Sequence, residues 1–567
     1  MVPRFRSTRR RLAGAACGML GLVGAAAGQE PTSADPPAVV AFGKGGPPAT
    51  LPAQVPPATP PAACPPAPTA SQDCGACEDV LRNVPPVRPH PRAGFFSIPP
   101  AGPGYYSLAD ALTGTWREGP PKYPYPRFGL MQPSFFDADF RYLDDPKNTE
   151  TDFFDPLKRV RLGDNWLFST GGAVWNRYMN EYNSRLTETN NIYNLNRVRA
   201  YGDLWYRDAF RLYAEFLGAY SNWQDLAPQT TDVNRADFLN LFIDVKAAEL
   251  GGKPVYVRAG RQELLYGSQR LISPPEWLNT RRTFQGVKAF RAGEKFDVDV
   301  FWVQPVIPNP GDLDSVDNNQ NFAGAWTTYR PKKGQAIDAY YLMLDNTNNV
   351  TQQGIVRSPF TRHTFGGRYV GDQDGKLLWD FEGAMQLGTQ AREDVVAGMA
   401  TAGLGYHWKD APLTPTAWAY YDYASGDDDP TGGTVHTFNQ LFPFGHYYMG
   451  WADLVGRQNI HDLNFHLYLY PNKWTTVWLQ YHRFWLASSR DALYGVAGQA
   501  YRRDPTGAAG NDLGQELDVV VNFHLTKHAD LLTGYSYLWG GDFLKRTAGP
   551  GRGVDSGLYY LQMSYRW

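Results

Sequence analysis

Long apolar runs, an excess of one charge and catalytic motifs are all missing from this sequence. After Gly28 no stretch reaches the roughly 18 consecutive apolar residues that a membrane-spanning helix needs, so crossing a bilayer as a helix is excluded. Lys and Arg number 54 against 56 Asp and Glu, and this balance leaves no global field to gather nucleic acid or an anionic membrane surface. Any charge-based function is therefore local. Cysteine is confined to Cys17, Cys64, Cys74 and Cys77. The spacing Cys74-Gly75-Ala76-Cys77 reads as a local disulfide in an oxidising compartment. A redox or zinc role needs a strand-helix context or a second ligand pair, and the proline-rich surroundings offer neither. No compact motif joins Ser, His and an acid, so no hydrolase site is read and no catalytic residue is assigned. Asp427-Asp428-Asp429 lacks the alternating spacing and the glycine of a calcium loop and reads as a solvated outer loop. No cofactor and no metal are expected.

Aromatic residues, by contrast, make up 14% of the chain, with 34 Tyr and 17 Trp, while the mean hydropathy is -0.44. Aromatic girdles around a polar-lined barrel give that combination. The first residues carry Arg4, Arg6, Arg9, Arg10 and Arg11, followed by an apolar stretch from Leu12 to Ala27 and the small residues Ala25-Ala26-Ala27-Gly28. This order predicts a cleaved signal peptide over 1–28 and export. The patterns for twin-arginine export and for lipidation at Cys17 are both incomplete. Residues 29–103 are dominated by Pro and Ala, with Pro47-Pro48, Pro56-Pro57, Pro60-Pro61 and Pro65-Pro66, and are expected to be a disordered spacer. A periplasmic lead-in over 104–157 and a barrel over 158–567 complete the expected organisation.

The barrel is legible residue by residue. In Arg197 to Leu204, Val198, Ala200 and Leu204 share one face while Arg197, Arg199, Tyr201 and Asp203 share the other. Phe210, Leu212, Ala214 and Phe216 alternate in the same way with Arg211, Tyr213 and Glu215. The last segment sets Tyr559, Leu561, Met563, Tyr565 and Trp567 against Tyr560, Gln562, Ser564 and Arg566. This aromatic ending resembles the terminal signal read by outer-membrane assembly machinery. Without sustained helical periods to cover the apolar face, that face points to lipid, and a strand can cross lipid only within a closed barrel. A secreted β-solenoid or sandwich is the competing architecture. About 18 such segments follow one another, separated alternately by short turns, such as Arg207-Asp208 and Thr526-Lys527-His528, and by mostly longer connections. The boundaries around Thr401 to Pro415 fit less cleanly. The predicted fold is all-β: a transmembrane antiparallel barrel in the outer membrane, monomeric and bounded by outer-membrane lipid.

Two blocks carry a family resemblance. The first runs from Tyr256-Val257-Arg258-Ala259-Gly260-Arg261-Gln262-Glu263 through Tyr266-Gly267, Arg270-Leu271-Ile272, Trp277, Asn279, Arg281-Arg282, Phe284 and Gly286. The second runs from Ala424-Ser425-Gly426-Asp427 through Phe438, Leu441-Phe442-Pro443, His446, Gly450, Asp453 and Asn459. Together they resemble the alginate export family of outer-membrane porins, with a departure at Gln285, where aspartate is more typical. The resemblance implies a passive conduit whose arginine-rich constriction favours carboxylated polysaccharide, or small anionic solutes, over cations. Guanidinium groups suit that task because they hold carboxylates bidentately and stay charged.

Strand parity places Arg197, Arg199, Arg211, Arg258, Arg362 and Arg368 toward the lumen, and Arg261, Arg270, Arg281 and Arg282 fall at a strand end and in a loop able to fold inward. These arginines, Arg211 apart, are the expected pore lining. The same parity puts Asp203, Glu215, Asp244, Asp299, Asp380, Glu382 and Asp518 inside, so wall arginines paired with acids are the plain alternative. His466, His482 and His524 read as polar lining. A general small-solute porin, a surface lipid hydrolase and an adhesin with a plugged lumen are the competing functions.

Overall fold

The computed structural model describes residues 79–87, 97–126, 133–429 and 432–567. The expected signal peptide, the run from 29 to 78 and the cysteines lie outside the described residues. Eighteen antiparallel strands close a barrel. In chain order they are β1 Trp166–Tyr182, β2 Asn191–Tyr206, β3 Phe210–Asn222, β4 Asn234–Leu250, β5 Lys253–Gln262, β6 Phe284–Ala292, β7 Phe296–Ile307, β8 Gln320–Tyr329 and β9 Ala336–Gln352. They continue as β10 Ile355–Gln373, β11 Leu377–Gln390, β12 Glu393–His407, β13 Thr416–Ala424, β14 Ile460–Asn472, β15 Thr475–Leu486, β16 Asp512–His524, β17 Ala529–Gly540 and β18 Ser556–Arg566.

Each strand pairs with its sequence neighbours, and β18 returns to β1 in the register Tyr182↔Gly557 to Ala173↔Arg566. Trp567 extends this closure, because its N–H donates to the Gly172 carbonyl at 3.0 Å and its carbonyl accepts from the Gly172 N–H at 3.1 Å. No backbone edge is left on either strand there, which is the condition for crossing lipid with strands.

The period of two sorts the side chains as expected. Val198, Leu212, Phe216, Leu561 and Tyr565 are exposed on the outer wall, while Arg197, Arg199, Arg211, Tyr213 and Glu215 are buried inside. Exposed rings ring both ends of the wall, with Trp166, Tyr206, Phe296, Tyr369, Tyr406 and Tyr565 toward the short turns and Tyr182, Tyr220 and Trp539 toward the other rim. Two connections on that rim are tight rather than long. The hairpin between β9 and β10 turns on Gln353 and Gly354, both with positive φ (52° and 76°), the conformation that matches the twist of long paired strands. The region around Thr401 resolves as β12 to His407, a connection over 408–415 and β13 from Thr416, with the Trp408 N–H donating to the Pro415 carbonyl at 2.9 Å.

The segment before β1 folds back against the inner wall at the short-turn, periplasmic end. Within the stretch expected to be a spacer, Leu81 and Val84 pack against Leu167, Trp205 and Tyr256. Phe135 and Phe136 pack with Tyr125, Phe140, Tyr201, Tyr213 and Phe242. Polar bonds fix the segment: Arg211 donates to the Phe136 carbonyl at 2.8 Å, and Lys158 Nζ donates to the Tyr201 hydroxyl at 3.1 Å and to the Trp567 carbonyl at 3.2 Å.

Candidate functional site

Two long connections leave the opposite rim and fold into the barrel. The loop over 263–283 and the loop over 425–459 meet as a short parallel pairing, in which the Phe442 N–H donates to the Leu271 carbonyl, the Ser273 N–H to Phe442 and the Phe444 N–H to Gln269, each at 2.9 Å. Backbone groups buried in the lumen need partners, and each loop supplies them to the other. Rings add to the seam. Trp277 stacks on His446 with centroids 3.7 Å apart at 9°, and the Arg177 guanidinium lies 3.7 Å from the Trp277 centroid.

The expected arginines divide by geometry. Arg258 and Arg368 are buried on the wall, with Arg258 bidentate to Asp244 at 2.7 and 2.8 Å and Arg368 bonded to Asp380 at 2.7 Å. Arg199 is held by Glu215 at 2.6 Å and Arg197 by Glu276 of the inward loop. Arg270 reaches from that loop across to β11, where it meets Asp380 at 2.8 Å and Glu382 at 3.0 Å. Arg281 lies between Glu263 and Glu276.

Arg282 and Arg362 show no carboxylate within salt-bridge distance among the described residues. Arg282 donates to the carbonyls of Ser273 at 3.1 Å and Pro443 at 3.2 Å, clasping the two loops, while Arg362 donates to Gln386 at 3.1 Å, to Gln390 and to the Thr437 carbonyl at 2.8 Å. Burial lowers Arg282 to about 10. Glu276 behaves oppositely: burial pushes its carboxyl up, but Arg197, Arg281 and Arg199 outweigh burial and hold it at about 2.

Arg261 is a correction to the expected pore lining. It stands opposite Leu241, an exposed lipid-side residue, and pairs with Asp237 at 3.0 Å near the rim. The reason is the strand period: three positions from lumen-facing Arg258 lands on the outer face.

Most lumen arginines are thus half of an ion pair, the plain alternative that parity left open. Sequence reasoning missed Arg177, bonded to Gln562 at 2.8 Å and to the Trp277 carbonyl at 2.7 Å, and Arg457, paired with Asp422. It also missed the seam. Its signal was present in the apolar runs Leu271-Ile272 and Leu441-Phe442, which a solvated loop has no reason to carry.

Between the inward loop, the N-terminal segment and the wall from β2 to β10 lies a cavity of about 550 Å³. It runs from Ala292, Arg330 and Ala336, beside the periplasmic turns, to Leu265, Gly267 and Gln269 of the inward loop. Its lining holds five cations, Arg211, Arg258, Lys288, Arg330 and Arg368, against the seven acids Asp137, Asp139, Asp244, Glu263, Asp297, Asp299 and Asp338. The acids outnumber the bases overall, yet the charges are not mixed evenly. Arg211, Asp244, Arg258 and Lys288 stand directly opposite one another on β3, β4, β5 and β6, so one register level of the wall sets three cations beside one carboxylate, while Asp203, 2.7 Å from Arg211, and Asp299, 3.3 Å from Lys288, reach in from the adjacent levels.

Solved structures with similar barrels come from Pseudomonas aeruginosa. OccK11 (OpdR) is 12% identical with a TM-score of 0.45, covering 72% of this chain and 98% of that one. OpdQ is 12% identical with a TM-score of 0.47 over 70% and 97%, and the outer membrane protein OprD is 12% identical with a TM-score of 0.45 over 70% and 93%. No curated protein matches the chain. The family model described as alginate export matches residues 167–553, from the first strand to the connection before the last, and on that match this outer-membrane barrel belongs to the alginate export family.

Proposed function

We propose that the protein is a non-catalytic, passive conduit for carboxylated saccharide, entered through the cavity beside the N-terminal segment. The observation that carries this reading is the cationic arc of Arg211, Arg258 and Lys288, crowded at one level of the passage with Asp244 between the first two and with Asp203 and Asp299 reaching Arg211 and Lys288 from the neighbouring levels. A carboxylate brought to this level exchanges places with a wall carboxylate on the same guanidinium. Exchange of like for like keeps net binding weak, and weak sites let a chain advance. Family membership supports the cargo class. Arg197, Arg199, Arg270, Arg281, Arg282, Arg362 and Arg368 surround the passage or brace the loops above it, where they set the field rather than grip the cargo.

The test is single-channel recording with uronate oligomers on either side of the bilayer. Transient block is expected, weakened when Arg258 and Lys288 are both replaced by Gln. A second reading, a general porin for small solutes, is favoured by the acid surplus in the lining as a whole; a pore indifferent to uronates supports it.

A further inference from the structure

The N-terminal segment lies across the cationic arc from inside the barrel. Its 3-10 turn Phe135–Asp137 buries both phenylalanine rings against the wall. The Phe136 ring lies 4.6 Å from the Arg258 guanidinium and the Phe136 carbonyl accepts from Arg211 at 2.8 Å, so one residue engages two of the three arc cations. Tyr213 and Phe242 meet the same ring edge-on, with centroids at 5.6 and 5.3 Å. The Phe135 ring lies 4.1 Å from the guanidinium of Arg199, on the strand next to that of Arg211. Phe136, Asp137 and Asp139 line the cavity together with Arg211 and Arg258, so the segment and the arc share one space. What Phe135 and Phe136 present to these three arginines is a carbonyl and two rings.

From this arrangement we infer that the Phe135–Asp137 turn is an internal competitor of the cargo: it covers the cationic arc while the conduit is empty, and a carboxylated saccharide must displace it to pass. Carbonyl oxygens and aromatic faces hold a guanidinium without cancelling its charge. A carboxylate forms charge-assisted bonds that are about twice as strong as neutral ones, so it wins the exchange. The weaker partner suffices at rest because it is tethered, and a linked segment acts at an effective concentration of about millimolar. A ligand shifts such an equilibrium only by its differential affinity for the two states. Here the states differ in whether Arg211 and Arg258 meet Phe136 or the cargo. The inference rests on the conduit reading and adds regulation of the same site: at rest the turn shields the arc from other periplasmic anions.

The experiment is single-channel recording of the full-length protein in a planar bilayer, with trimannuronate added on the side of the short turns. Wild type is compared with Phe135→Ala/Phe136→Ala and with Phe135→Leu/Phe136→Leu, which keeps apolar bulk and loses the ring faces. Both variants are expected to assemble, as heat-modifiable gel migration reports, because the turn lies outside the strands. Half-maximal block of the alanine variant is expected at about a tenfold lower trimannuronate concentration than in wild type, through faster association, since each ring contact is worth a factor of a few. The leucine variant is expected between the two, and it decides in the same sense if the alanine variant does not assemble. Lipid-facing Val300→Ala is expected to match wild type. Block of wild type and both variants at one concentration overturns the inference and leaves the conduit reading standing, and so does a variant with raised conductance but unchanged sensitivity. Block of the alanine variant alone supports the inference. A conducting channel that trimannuronate blocks in neither wild type nor variants removes the conduit reading and the inference with it.

Discussion

Arg258 on β5 and Asp244 on β4 are register partners whose side chains meet through two bonds of 2.7 and 2.8 Å, and both are buried in the lumen wall. Removing one partner leaves the other as an uncompensated buried charge. Arg211, 3.6 Å from the same carboxylate, softens that loss. Arg258→Gln is therefore expected to lower the barrel's resistance to urea by about 2 kcal/mol, and Arg258→Gln with Asp244→Asn by less than the single change. Unfolding followed by loss of heat-modifiable gel migration measures both. Equal losses in single and double variants contradict the pairing.

The inward loop has its own acid limit. The Glu276 carboxyl, ordinarily at 4.5, sits at about 2 in the folded protein because Arg197, Arg281 and Arg199 outweigh the effect of burial. A depressed value means that this carboxylate stabilises the loop fully above its unfolded value and stops doing so as pH falls through the folded one. Channel recordings between pH 5 and pH 2, in the window from about 4.5 to about 2, are expected to show growing current noise as the loop loosens. Glu276→Gln is expected to show that noise already at neutral pH.

At the periplasmic end Arg159 holds the N-terminal stretch. It donates to the carbonyls of Val84 and Leu81, the latter at 2.7 Å, and pairs with Asp144 at 2.6 Å, tying the 79–87 stretch to the segment that leads into β1. Arg159→Ala is expected to free that stretch and raise single-channel conductance without changing barrel assembly. Protease sensitivity near Leu81 gives an independent readout, and a variant equal to wild type in both shows that the tie does not hold the segment.

Much of the barrel was legible in the sequence because a wall between lipid and a polar interior imposes the simplest periodicity there is. The alternations of Arg197 to Leu204 and of Tyr559 to Arg566 predict orientation residue by residue, and the structure follows them. Arg261, expected to turn inward at its strand end, instead stays in register opposite Leu241, and strand parity keeps it on the outer face. The pairing of Arg270 with Asp380, 110 residues away, and of the 269–273 stretch with 442–444 depends on how loops fold in three dimensions, and no local period reports that. The cationic arc was hidden in a similar way, since Arg211, Asp244, Arg258 and Lys288 become neighbours only once the register of four strands is fixed.

In the proposed conduit the cationic arc sets the preference of the passage even though acids outnumber bases in its lining as a whole. At about 4 Å and an effective dielectric near 20, one guanidinium and one carboxylate attract by about 4 kcal/mol before desolvation is subtracted, so a passing carboxylate competes at this level with Asp203, Asp244 and Asp299 for three cations, while the remaining acids of the lining act from farther away. The reversal potential of the reconstituted channel in a potassium chloride gradient measures this directly. Chloride is expected to pass over potassium, with the preference abolished or reversed when Arg258 and Lys288 are both replaced by Gln. A wild-type pore that passes potassium over chloride contradicts it.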